Sequence, residues 1–78
     1  MTIDQEEVKK KILELLKNEG ELWFNEIHRQ LLLKYNLPVS PPLLRKNLEE
    51  LLELGLIVCK ERGIKKFFKM RELKNEEI

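Results

Sequence analysis

The residue types that perform most protein chemistry are scarce in this chain of 78 residues. It contains one serine, one threonine, one histidine and one cysteine, which are Ser40, Thr2, His28 and Cys59. Nucleophilic catalysis needs a nucleophile beside a base and an orienting group, and a structural zinc needs about four Cys or His ligands. Because neither set can be assembled, we expect no enzyme activity, no metal site and no cofactor.

A second chemical feature is a cluster of cations near the C-terminus. The whole chain is nearly neutral, with 15 basic and 14 acidic residues. Segment 56–71, however, has six basic residues against the single Glu61, a net charge of +5. The basic residues are Lys60, Arg62, Lys65, Lys66, Lys69 and Arg71. Such a cluster is the footprint expected for phosphate contact, although alternating lysines also protect an exposed edge hairpin from aggregation.

Composition favours a single folded domain over residues 1–78, with a core of about 3–71 and a polar tail over 72–78. The chain is 42% hydrophobic and 37% charged, and charges interrupt every apolar stretch before it could span a membrane. The acidic start lacks the order of a signal peptide, and the lone Cys59 cannot form a disulfide within the chain. We therefore expect a cytoplasmic protein without membrane contact.

The Glu, Lys, Ile and Leu bias without alanine is typical of thermophiles.

Hydrophobic periodicity predicts two helices in the first half of the chain. The first covers about 3–19, with Thr2 and Gln5 at capping-box spacing and Gly20 at its end. A brief strand over 21–24 follows. Asn25 is then predicted to cap a second helix over 26–35 that Asn36 ends. The buried stripes are expected to be Val8, Ile12, Leu15 and Leu16 in the first helix, and Ile27, Leu31 and Tyr35 in the second.

A third helix and a hairpin are predicted in the second half. Ser40 is the expected N-cap, Pro41 suits the first helical position, and Gly55 ends the helix. Its inner stripe is Leu44, Leu48, Leu51 and Leu52. Strand-like segments follow over 56–60 and 65–70. The intervening turn over 61–64 relies on Gly63 for a positive φ.

The segment 40–57 resembles part of a known fold. It reads Ser-Pro-Pro-Leu-Leu-Arg-Lys-Asn-Leu-Glu-Glu-Leu-Leu-Glu-Leu-Gly-Leu-Ile, a capped leucine-rich helix that ends in Gly-Leu-Ile. With the order of elements around it, the chain over roughly 5–70 resembles a winged helix-turn-helix domain of small prokaryotic and archaeal transcriptional regulators. The resemblance implies an α+β, mostly helical fold. It also implies a third helix in the major groove of duplex DNA and a hairpin, the wing, against backbone or minor groove.

Charge on the third helix refines which residues would meet DNA. Opposite the leucines, only its first two turns present cations, and glutamates follow. Arg45 or Lys46 would contact guanine or phosphate, and Glu49 would accept from a cytosine amino group. We expect the DNA contacts to come from Ser40, Pro42, Leu43, Arg45, Lys46, Glu49, Lys60, Arg62, Lys65 and Lys66.

Two interpretations of function stay open. The first is a regulator that binds duplex DNA as a homodimer without a small-molecule ligand, with dimer contacts from Leu13 and Leu33. The second is a winged-helix module for protein interaction in a transcription or replication assembly. Its contacts would come from an outward-facing Trp23 and from Glu49, Glu50 and Glu53.

Overall fold

The computed structural model describes residues 4–71, which form three α-helices and a three-stranded antiparallel sheet. The α+β class is therefore confirmed. The predicted tail over 72–78 lies outside the described residues, and within them no helix is long and apolar enough to cross a bilayer. The elements are α1 (Gln5–Glu19), β1 (Leu22–Trp23), α2 (Phe24–Tyr35), α3 (Pro41–Glu53), β2 (Ile57–Arg62) and β3 (Lys65–Met70).

The first helix begins at Gln5 behind an aspartate cap. The Asp4 carboxylate accepts a hydrogen bond from the Glu6 backbone N–H at 3.0 Å, which satisfies one of the free amide groups of the first turn. The predicted Thr2 cap and the predicted start at Ile3 lie outside the described residues. Gly20 ends α1 with φ +91°, as its position predicts.

The second helix starts earlier than expected, and the prediction that Asn25 caps it is wrong. Strand β1 runs directly into α2, so Trp23 occupies the N-cap position without a side-chain hydrogen bond. Asn25 lies inside the first turn and is exposed. At the other end Asn36 adopts φ +52°, so the predicted left-handed stop is confirmed.

The third helix begins and ends as predicted. Ser40 has an extended backbone before the helix, and Pro41 is the first helical residue. The Ser40 carbonyl accepts from the Leu44 N–H at 2.9 Å, whereas its hydroxyl makes no capping hydrogen bond. Gly55 follows the C-cap with φ +77°, a conformation that glycine adopts without strain.

The sheet has the strand order β1-β3-β2, so β3 is central. The turn between β2 and β3 is only Gly63-Ile64, shorter than the predicted turn over 61–64. The reason is that Glu61 and Arg62 still pair with β3. Gly63 has φ +65° at the first loop position, the arrangement that a type II′ turn requires.

Helices and sheet share one hydrophobic core. It consists of Val8, Ile12, Leu15, Leu16, Ile27, Leu31, Val39, Leu44, Leu48, Leu51, Ile57 and Phe68. Two expected members differ: Leu52 and Tyr35 are only half-buried against this core. Leu13 is half-buried and also packs partly against this core, so only part of its side chain faces outward.

The buried face of α3 includes a polar residue, Asn47, in the place expected for Leu52. Asn47 is fully buried, and its Nδ2 donates to the Leu43 carbonyl one turn earlier at 2.8 Å. Its Oδ1 is buried and has no hydrogen-bond partner among residues 4–71. The side chain therefore carries an uncompensated desolvation cost.

An ion pair joins α1 to α3. Lys9 Nζ contacts the Glu50 carboxylate. The Lys9 hydrogen bond holds the pKa of Glu50 below its usual 4.5, and Glu50 in turn holds the pKa of Lys9 above its usual 10.5. Both groups remain charged between these values, so the pair is intact at neutral pH.

Replacing Asn47 with alanine should be nearly neutral or stabilising. The change removes one hydrogen bond, about 1 kcal/mol, but also removes a buried unpaired oxygen that costs about 1–3 kcal/mol. We expect a free energy of unfolding within about 1 kcal/mol of wild type in urea titrations. Leu48→Ala, the matched control, should cost about 2–5 kcal/mol. An equal loss of stability for Asn47→Ala would show that Asn47 is satisfied.

Glu50→Gln should lower the melting temperature at pH 7, because it removes the partner of Lys9. A carboxylate with a depressed pKa stabilises above its ordinary pKa and loses this effect as pH falls through the folded pKa. The difference from wild type in thermal melts should therefore shrink as pH falls below the ordinary glutamate pKa and vanish once pH is below the lowered pKa of Glu50. Glu53→Gln on the same helix is the control, since Glu53 has no ion pair within residues 4–71. A difference that persists at low pH would refute the ion-pair origin.

Candidate nucleic-acid interface

The outward face of α3 follows from its buried leucines. Leu44 and Leu48 point into the core, so Arg45 and Glu49, each one position further along, face outward and are exposed. The Arg45 guanidinium carbon lies 5.6 Å from the centroid of the Phe24 ring at the start of α2. This contact places the Arg45 guanidinium beside the first residue of α2.

A groove of about 520 Å³ separates α3 from the β2–β3 hairpin, and we call it the α3–hairpin groove. Arg45 and Glu49 line it from the helix, and Lys65 and Lys66 line it from the hairpin. The structure thus brings four of the ten predicted contact residues to one concave surface. Three of the four are cations, which makes the groove electropositive.

The lining of the groove beneath these charges is apolar. Buried Leu48 and Phe68 belong to the core and lie deepest. Ile64 also lines the groove, although it is fully exposed at the tip of the hairpin. The remaining apolar lining is half-buried and consists of Trp23, Phe24, Leu52 and Cys59.

Strand alternation divides the hairpin cations between two faces of the sheet. Phe68 points into the core, so its neighbour Phe67 points to the other face, which we call the outer sheet face. Trp23 and Lys60 are the cross-strand neighbours of Phe67 on that face. By the same alternation Arg62, Lys65 and Lys69 lie there too, whereas Lys66 lies on the groove side.

Two of the outer-face cations lie over aromatic rings. Lys65 Nζ is 4.6 Å from the Trp23 ring centroid on the outer sheet face, and both residues also line one end of the groove. Arg62 lies 5.4 Å from the Phe67 centroid and reaches Glu21 Oε1 at 3.3 Å. Arg62 is therefore partly neutralised by a carboxylate of the same chain, which sequence reasoning did not anticipate.

The lysines of the hairpin have no carboxylate partner within the described part of the chain. Over residues 4–71, no carboxylate oxygen lies within 4.0 Å of the ammonium groups of Lys60, Lys65, Lys66 or Lys69. This holds for Lys66 even though Glu61 is its cross-strand neighbour. Most of the positive charge on the hairpin is thus directed at solvent.

The remaining predicted contact residues lie around the start of α3. Ser40, Pro42 and Lys46 are exposed, and none of them lines the groove. Leu43 is half-buried and packs partly against the core, so only part of its side chain faces outward.

The acidic face of α3 is smaller than expected. Glu50 is engaged by Lys9 of α1, so it does not belong to a free acidic surface. Glu49 and Glu53 are exposed and lack a cation within 4.0 Å among the residues described. Trp23 lies on the outer sheet face, as expected, and is half-buried beneath Lys65.

Sequence reasoning missed Phe24 as a contributor to this surface. The pattern places it in a strand with an inward side chain, whereas it starts α2 and lies beneath Arg45. No pattern in the sequence pairs these residues, since they lie about twenty positions apart. Within residues 4–71, no three His, Cys, Asp or Glu side chains are grouped to hold a metal ion.

Comparisons of the chain with protein families, with curated proteins and with solved structures found no match.

Proposed function

We propose that the protein is a cytoplasmic transcriptional regulator of the winged helix-turn-helix type that binds duplex DNA without catalysing a reaction. The single observation that carries this proposal is the meeting of Arg45 on α3 with Lys65 and Lys66 on the hairpin. Three cations from two elements, without carboxylates to neutralise the lysines within the described chain, provide a surface for a phosphate backbone.

The start of α3 supports phosphate contact through side chains. A helix N-terminus normally offers free backbone N–H groups to an anion. Pro41 and Pro42 remove two of these donors, because proline has no N–H. The Leu43 N–H, the Ser40 hydroxyl and the exposed Lys46 are donors that remain nearby. We therefore expect backbone positioning by these groups and base contact from Arg45 and Glu49.

The order of elements gives a second line of support. Three helices followed by an antiparallel hairpin, with a short β1 completing the sheet, are compatible with a winged helix. In that arrangement α3 would enter the major groove while the hairpin contacts backbone or minor groove. Lys60 and Arg62, on the outer sheet face, would then contact DNA only if the duplex passes around the hairpin edge.

Salt dependence of duplex binding tests the proposal. Each phosphate contact adds about 0.9 to the slope of log affinity against log salt. We expect a random-sequence duplex to bind with a steep slope in fluorescence polarisation, and Lys66→Gln to reduce the slope by about 1. Lys10→Gln, an exposed lysine on α1, is the control and should leave the slope unchanged.

A slope near zero for the wild-type protein would overturn the proposal. An equal effect of Lys10→Gln and Lys66→Gln would instead show that binding is diffuse and does not use the groove.

A protein-interaction module is the second candidate function. The observation that favours it is the pair of exposed glutamates on α3, Glu49 and Glu53, which have no cation partner within residues 4–71. They would repel phosphates but suit a basic partner surface. Absence of salt-dependent DNA binding would favour this candidate, provided that a basic protein binds the wild type and fails to bind Glu53→Lys.

We further propose that the regulator acts as a homodimer, since a symmetric dimer can bind two half-sites of duplex DNA. Leu33 supports this proposal, because its side chain is exposed on α2 beside the exposed Leu32. We expect sedimentation equilibrium to show a dimer for the wild type and a monomer for Leu33→Glu. A wild-type monomer at micromolar concentration would contradict it.

A further inference from the structure

We propose that the α3–hairpin groove binds a small aromatic anion, a planar ring system that carries one negatively charged group. Cations at its edge suit phosphates, but its apolar lining has no counterpart in a sugar–phosphate backbone. A groove with mainly apolar walls and a few converging polar groups is instead typical of small-molecule sites, and about 520 Å³ is within their usual range.

The anionic end of the ligand would meet Arg45 from the helix and Lys66 from the hairpin. Neither cation is paired with a carboxylate within the described chain, and Arg45 lies over the Phe24 ring. This ring holds the guanidinium at the groove without neutralising it. An anion can therefore pair with both without first breaking an ion pair. Glu49 on the same wall would disfavour a second negative charge.

The aromatic end would pack on the apolar lining. Trp23 and Phe24 line one end of the groove, and the buried Phe68 lies beneath it. Leu52 and the Cys59 thiol, both half-buried, complete the wall beside them. Offset or edge-to-face contacts with these rings would orient a planar group, whereas an aliphatic chain would gain only burial.

The site would also regulate DNA binding, a consequence that rests on the proposed function. Arg45 and Lys66 are among the cations expected to contact phosphate, so ligand and duplex would compete for them. Occupation of the groove would therefore lower the affinity for DNA, and by linkage DNA would lower the affinity for the ligand by the same factor. The ligand would act as an effector of the regulator.

The probe for the test is anilinonaphthalene sulfonate, an aromatic anion that fluoresces in apolar surroundings. Phenylnaphthylamine, the same ring system without the sulfonate, is the neutral comparison. Trp23 is the only tryptophan of the chain, so energy transfer from it shows that the probe is bound to the protein, and the variants below test whether it lies in this groove. We expect one sulfonate probe per chain, with sensitised emission, and weaker binding of the neutral compound.

Two neighbouring residues on α3 provide the matched variants. Arg45 and Lys46 are both exposed cations, but only Arg45 lines the groove. Arg45→Glu should weaken the sulfonate probe about tenfold, and Lys46→Glu should change its affinity less than about twofold. Neither change should affect phenylnaphthylamine. Circular dichroism confirms that each variant is folded.

Several results would overturn the proposal. These are several probe molecules per chain without energy transfer, equal binding of the neutral compound, and equal losses of affinity for the two variants. Displacement of the probe by adenosine monophosphate would identify a nucleotide as the aromatic anion, and its failure would indicate a free aromatic acid.

A duplex titration separates this inference from the proposed function. If the probe binds as expected but no duplex binds, the site stands and the DNA-binding proposal fails. If duplex binds with a steep salt slope but the probe does not bind, the aromatic-anion site fails alone. Displacement of the probe by duplex is the result expected when both hold.

Discussion

The buried leucine face of α3 is the constraint on which the rest of this structure depends. Leu44, Leu48 and Leu51 are fully removed from solvent and pack into the core shared with α1 and the sheet. A helix with 3.6 residues per turn that buries this stripe leaves Arg45 and Glu49 outside it, and both are exposed. The position of the groove therefore follows from apolar packing.

A second constraint comes from the sheet. Phe68 is buried in the core, and because side chains alternate along a strand, its neighbours Phe67 and Lys69 lie on the outer face. The six cations of the segment 56–71, one cluster in the sequence, are thus distributed over two faces. Only Lys65, turned over Trp23, and Lys66 reach the groove. Because side chains alternate along a strand, charges that cluster in the sequence of a strand do not form a single charged surface.

Much of the fold was predictable because its signals are local. Pro41 after Ser40, the left-handed Asn36, and Gly63 in the hairpin each fix the backbone within a few residues, and all three are confirmed. The errors occur where tertiary contacts decide. Asn25 is not the cap because pairing of β1 with β3 places Trp23 before the helix, and Asn47 takes the buried place expected for Leu52.

The candidate site was less predictable than the fold. Composition identified the cations, but their partners come from distant segments: Phe24 beneath Arg45, Trp23 beneath Lys65, and Glu21 beside Arg62. Each pairing depends on the place of β1 at the edge of the sheet, next to β3. A two-residue strand leaves almost no periodic signal, so the contacts that it creates cannot be read from the sequence.

The claim that α3 and the hairpin form one DNA-binding surface is tested most directly by nuclear magnetic resonance. The ¹⁵N-labelled protein would be titrated with a short random-sequence duplex at low salt. The largest shift changes should fall on the amides of residues 43–49 and 63–66. Changes confined to the outer sheet face around Lys60 and Lys69, or spread evenly over α1, would contradict it.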